Sequence, residues 1–65
     1  MRAAVEFHVL PCGSRWAVSR DGAKVATFDT KQQTLEAACD LAQSEERSSI
    51  VVHDRQGHVQ RRQPG

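Results

Sequence analysis

The hydrophobic period of this chain changes twice, and those changes restrict its fold more than any other feature. Val5, Phe7 and Val9 recur at every second position, as do Trp16 and Val18, then Val25 and Thr27. A half-buried strand needs that period of two, because successive side chains point to opposite faces. After Thr30 the period becomes helical, and Ile50, Val52 and Val59 restore the strand rhythm. The expected order is βββαββ, a three-stranded antiparallel meander, one helix packed on the sheet and a C-terminal hairpin. The fold class is α+β.

Local signals set the boundaries. The first strand is expected over 3–10, ended by Pro11-Cys12-Gly13-Ser14, since proline cannot donate to a ladder and glycine permits positive φ. The second covers 15–20, and Asp21-Gly22 supplies the two-residue signal of a type I′ hairpin turn. The third follows over 23–28. Thr30 is a good N-cap, and Gln33 three positions on completes a capping box. At 100° per residue Leu35, Ala38, Cys39, Leu41 and Ala42 share one face of a helix ending near Glu46. A β-branched strand spans 49–53, Asp54-Arg55-Gln56-Gly57 turns the chain, and a fifth strand covers 58–61. Residues 62–65 are polar, end in Pro-Gly and are expected to fray. Joining the third and fourth strands through a helix implies a crossover, with the fourth strand parallel to the first and strand order 5-4-1-2-3.

Sixty-five residues make a single domain, 1–65. Its 38% apolar content includes eight alanines, which bury little area each. The larger core candidates are Val5, Phe7, Val9, Trp16, Val18, Val25, Phe28, Leu35, Leu41, Ile50, Val52 and Val59. A chain this short buries only about 60% of its unfolded surface. Partner subunits often supply what such domains lack, so a homodimer or a larger partner is expected.

Two cysteines, Cys12 and Cys39, make no disulfide framework, and Met1-Arg2 leads on with no apolar signal region. No run approaches the roughly 20 apolar residues of a membrane span. A cytoplasmic protein with reduced thiols and no membrane partner is expected. Net charge is +1. Between Lys31 and Arg47 two basic residues face four acidic ones, and elsewhere seven basic face four acidic. The sheet is mildly basic and the helix mildly acidic, with neither a polybasic arm nor an acidic tail.

One pattern of short motifs resembles a known family. It consists of His8-Val9-Leu10-Pro11, Trp16-Ala17-Val18, Phe28-Asp29-Thr30-Lys31, Glu36-Ala37-Ala38 and the closing run from Ile50 to Val59. Together these resemble a small bacterial domain of unknown function, numbered twenty-one eighty-eight, over nearly the whole chain. The resemblance implies a compact bacterial or phage-borne domain and brings no assigned activity or catalytic residue. Cys12-Gly13-Ser14-Arg15 stands where the family pattern suggests a basic residue directly after the proline, which argues against a basic turn there.

Catalysis is not expected. The chain has no Gly-x-Ser-x-Gly, His-Glu-x-x-His or phosphate-cradling glycine loop. One helix on one sheet rarely encloses the several hundred cubic ångströms a substrate pocket needs. His8 and His53 fall on neighbouring strands and His58 lies across the terminal hairpin, so zinc deserves weighing. No Cys-x-x-Cys or close-spaced third ligand accompanies them, and surface histidines are the preferred reading, with no metal and no cofactor. Trp16 is read as the plug of a small core rather than a stacking platform. Two binding readings remain. In the favoured one, protein contact with a partner or a second copy uses the sheet face opposite the helix, through His8, Leu10, Ala17, Ala26, Val51 and His53. In the alternative, Arg15, Lys24, Arg55, Arg61 and Arg62 bind nucleic acid weakly, although the cluster is thin and no aromatic is free to stack.

Overall fold

The computed structural model describes residues 4–65. Five strands form one sheet, β1 (Val5–Cys12), β2 (Arg15–Arg20), β3 (Ala23–Phe28), β4 (Ser48–His53) and β5 (Val59–Pro64), and α1 (Lys31–Gln43) lies between β3 and β4. The sheet order is β3-β2-β1-β4-β5. β1 and β4 are parallel and the other pairs antiparallel, so the sheet is mixed. The crossover through α1 therefore places β4 beside β1, as the helix between the third and fourth strands requires.

The turns follow their residue chemistry. Asp21 and Gly22 both have positive φ, 52° and 82°, as a type I′ turn demands. Gly57 sits at φ 87° and closes the β4–β5 turn by donating its N–H to the Asp54 carbonyl at 3.1 Å. The Asp54 carboxylate accepts from the N–H groups of Gln56 at 2.8 Å and His58 at 3.0 Å. The Thr30 hydroxyl accepts from Gln33 N–H, and the Gln33 side chain accepts from Thr30 N–H, the reciprocal capping box.

Three boundaries differ from the sequence reading. α1 ends at Gln43 with Ser44 as its C-cap, not near Glu46. Pro11 lies within β1, opposite Trp16, and the break falls at Gly13-Ser14. β4 runs beside β1 only as far as Val9, so Pro11 occupies a stretch with a ladder on one side alone. The segment from Arg62, expected to fray, pairs with β4 as far as Ser49↔Pro64, and Gly65 N–H donates to the Ser48 carbonyl at 3.0 Å. Ala3, the expected first residue of β1, lies outside the described residues.

The core lies between α1 and one face of the sheet. Phe7, Val9, Trp16, Val18, Ile50 and Val52 come from β1, β2 and β4, and Ala38 and Ala42 from the helix. Each strand supplies alternate residues, and the strand register keeps them together: Phe7↔Ile50, Val9↔Val18 and Val9↔Val52. The buried line of α1 is Thr34, Ala38 and Ala42, spaced four apart, with Leu35, Cys39 and Leu41 packed at its margins. Thr34 is fully buried, and its hydroxyl donates to the Thr30 carbonyl at 2.7 Å, so this polar group enters the core already paired. Small residues along that line let the helix sit close to the sheet.

Val25 and Val59 were core candidates by period, yet both are 48% exposed. The cause is a pair of bulges. The β2–β3 register slips between Val18 and Ser19, so Ala26 opposes Val18 while Lys24 opposes Ser19, and Val25 falls out of phase. The β4–β5 register slips between Val52 and His53, which sets Val59 opposite His53 on the uncovered side. One extra residue in a strand reverses every side chain beyond it.

Candidate functional site

Among the described residues the sheet face opposite α1 carries no second layer. On β1 it presents Glu6, His8, Leu10 and Cys12, on β2 Arg15, Ala17 and Ser19, and on β4 Ser49, Val51 and His53, by alternation with the core residues. The same register adds Thr27 of β3 and Arg62 and Val59 of β5.

A polar chain crosses three strands at the centre of this face. His8 Nδ1 and His53 Nε2 stand 2.8 Å apart, with ring centroids at 5.1 Å and planes inclined by 22°. Glu6 Oε1 lies 2.8 Å from His8 Nε2, and Arg62 Nη1 donates to Glu6 Oε2 at 3.4 Å. The carboxylate can only accept, so it assigns the neutral His8 proton to Nε2. His8 Nδ1 then accepts, and His53 Nε2–H donates to it. Leu10, Ser19 and Gly22 border the two imidazoles around a shallow hollow of about 280 Å³. That is slightly below the usual range of small-molecule pockets, about 300–1,000 Å³.

Burial, then the neighbouring His8, then Arg62 hold the His53 pKa below its ordinary 6.5, against a smaller opposing pull from Asp54 and Glu6. Asp54 is also held below its ordinary 3.8, chiefly by the N–H of His58 and then that of Gln56, with burial opposing. The sign for stability follows. Just below pH 6.5 the unfolded chain binds more protons at His53 than the folded chain does, so stability falls as pH drops through that window. The Asp54 contribution is lost only further down, as pH falls below 3.8 toward its folded value. Urea unfolding at about pH 7.5 and about pH 5 should therefore show an acid loss that His53→Gln reduces. Equal losses in the two proteins would refute the assignment to His53.

The six residues expected to form the contact surface are not equally placed. His8, Leu10 and His53 lie together on the open face and border the hollow. Ala17 and Val51 share that face, but at 2% and 0% exposure they have no surface to offer a partner. Ala26 must be corrected: opposite Val18, it points toward the helix, because the bulge reverses β3 relative to the simple alternation. Glu6, which links the histidines to Arg62, was missed, and Arg62 was read only as a nucleic-acid contact. The strand order and a period of two were enough to place Glu6 beside His8 on one side.

The histidines do not gather as three. His58 is 76% exposed at the side chain and faces Asp54 at 3.7 Å. No three metal-ligating side chains converge among the described residues. Cys12 lies on the open face, where its sulfur accepts from Lys24 Nζ at 3.1 Å, while Cys39 packs against the core on the other side. The sheet separates the two thiols.

The five basic residues of the nucleic-acid reading are dispersed. Arg15 pairs with Asp29 at 3.2 Å and Arg62 with Glu6, both on the open side. Lys24 is engaged with Cys12. Arg61 opposes Val52 and so projects on the helix side, and Arg55 donates to the Gly13 carbonyl at 3.2 Å while lying 5.0 Å from the Trp16 ring centroid. Trp16 itself is 7% exposed.

A family model described as an uncharacterized protein conserved in bacteria, DUF2188, matches residues 7–63. The chain belongs to that family. The matched stretch runs from the first buried aromatic of β1 to the penultimate residue of β5, so the DUF2188 unit is the whole sheet with its helix. No curated protein and no solved structure matches the chain. Among the described residues no helix is long and apolar enough to cross a membrane.

Proposed function

We propose that this DUF2188 domain is a non-enzymatic binding module that acts by protein contact through the open sheet face, first of all with a second copy of itself. One observation carries the reading. Exposed Val59 and half-buried Leu10 flank the His8–His53 pair on that face, and among the described residues nothing lies over them. A specific interface takes about 800 Å² from each partner, roughly a fifth of the 4332 Å² surface of the chain. The His8–His53 pair supplies directional contacts between them. Reduced thiols separated by the sheet accord with a bacterial cytoplasmic setting.

Light scattering at micromolar concentration tests the proposal. A dimer has twice the 7.2 kDa chain mass. Leu10→Lys and Val59→Lys place charge on that face and should each return the protein to the monomer with its circular dichroism unchanged. A wild-type monomer, or dimers indifferent to both substitutions, would refute self-association through this face.

A further inference from the structure

A second surface lies on the helix side. α1 makes its main contacts with β1, β2, β4 and β3, and meets β5 through a hydrogen bond from Lys31 Nζ to Gln60 Oε1. Between the helix and β5 this leaves a groove of about 500 Å³ lined by Lys31, Gln32, Leu35, Val52, Gln60 and Arg61. Leu35 gives it an apolar floor, with the buried Val52 behind it, and its rim holds two cations and two amides.

The charge of the groove is unbalanced. Arg15, Arg20 and Arg62 all have acidic partners. Lys31 engages only the neutral Gln60 amide and the Trp16 ring, at 5.6 Å from its centroid, among the described residues. Arg55, on the same indole, is bonded to a carbonyl. Among the described residues no acidic side chain lines the groove. Glu36, one turn along the helix, is held by Gln32 at 3.2 Å outside the lining. β5 is an edge strand, so the backbone groups along its outer side have no partner strand in the sheet.

From these observations we infer that the groove between α1 and β5 receives an extended acidic peptide segment of a partner protein. Its carboxylates meet Lys31 and Arg61, an apolar side chain between them rests on Leu35, and its backbone lies along the open edge of β5. Nucleic acid fits the same features less well. The apolar floor has no counterpart in a phosphate backbone, and Trp16, buried beneath Lys31 and Arg55, cannot stack on a base. This surface is separate from the open face, and the inference does not depend on self-association.

An amide chemical-shift titration of the full chain with the capped peptide Glu-Leu-Glu-Leu-Glu tests it. Saturable shifts should centre on Lys31, Leu35, Gln60 and Arg61. Lys31→Glu and Arg61→Glu, both surface changes, should each weaken binding about tenfold. Leu10→Lys, on the opposite face, should leave it unchanged. Absence of saturation at millimolar peptide, equal binding of Lys-Leu-Lys-Leu-Lys, or shifts centred on His8, Leu10 and His53 would each overturn the inference. So would a short oligothymidylate that binds more tightly and is lost with the same two variants.

Discussion

Phe7→Ala should lower the melting temperature by about 12 °C at least, and it is expected to leave much of the chain unfolded near physiological temperature. Phe7 is 1% exposed on β1, the central strand, between Arg20 of β2 and Ile50 of β4. Removing a buried phenyl group costs about 3–5 kcal/mol, transfer and cavity together. A domain of this length has a total stability of roughly 3–10 kcal/mol. The loss is therefore comparable to the whole. The matching control is Val25→Ala, where half the side chain is already in water and the change should stay within about 0.5 kcal/mol. Thermal unfolding followed by circular dichroism measures both. If the two variants melt together, the bulge has been misassigned and β3 keeps the simple alternation.

That comparison also marks where the sequence becomes unreadable. The capping box, the type I′ turn and the order of the elements are local, each fixed by two to four neighbouring residues, and all could be read directly. The side to which β3 points is decided by one extra residue opposite the Val18–Ser19 step. Nothing in Ala23-Lys24-Val25-Ala26 announces it, because both phases place one valine or two alanines on the buried side. Ala26 was lost from the contact surface for that reason, and the separate bulge at Val52–His53 added Val59 to it. The tail presents a different case. Arg62-Gln63-Pro64-Gly65 has the composition of a frayed end, and it is held by pairing with β4 and a bond to Ser48, a long-range effect that composition does not register.

The candidate site was legible in part. The period of two put both histidines on one face, and the expected strand order made them neighbours. Their 2.8 Å contact, with Glu6 and Arg62 completing the chain, depends on side-chain torsions that no pattern encodes. The burial of Val51 and Ala17 was equally hidden. On a sheet with one layer the uncovered side is ordinarily wet, yet Val51 stands in register with His8 and Arg62, whose long side chains flank it. Long polar side chains can shield a small apolar one beneath them. What remains available to a partner is thus narrower than the face itself: Leu10, Val59 and the edges of two imidazoles.

Ala38→Leu is expected to produce the second large effect, and it bears on the helix-side groove. Ala38 has no exposed surface and sits in the middle of the Thr34–Ala38–Ala42 line against the sheet. Three added carbons at that point have no space, so α1 must move outward or its neighbours must leave their preferred rotamers, at about 1–3 kcal/mol. The melting temperature should fall by about 4 °C or more. The consequence for function is directional. Lys31 and Leu35 ride on α1, whereas Val52, Gln60 and Arg61 belong to the sheet, so lifting the helix separates the two walls of the groove. Binding of the acidic peptide should weaken in Ala38→Leu at temperatures where the fold persists. The His8–His53 face, held by strand pairing on the other side, should keep its dimer. A variant that melts lower but retains full peptide affinity would show that the groove does not need the close approach of the helix, and a simultaneous loss of the dimer would show that the two faces are not independent.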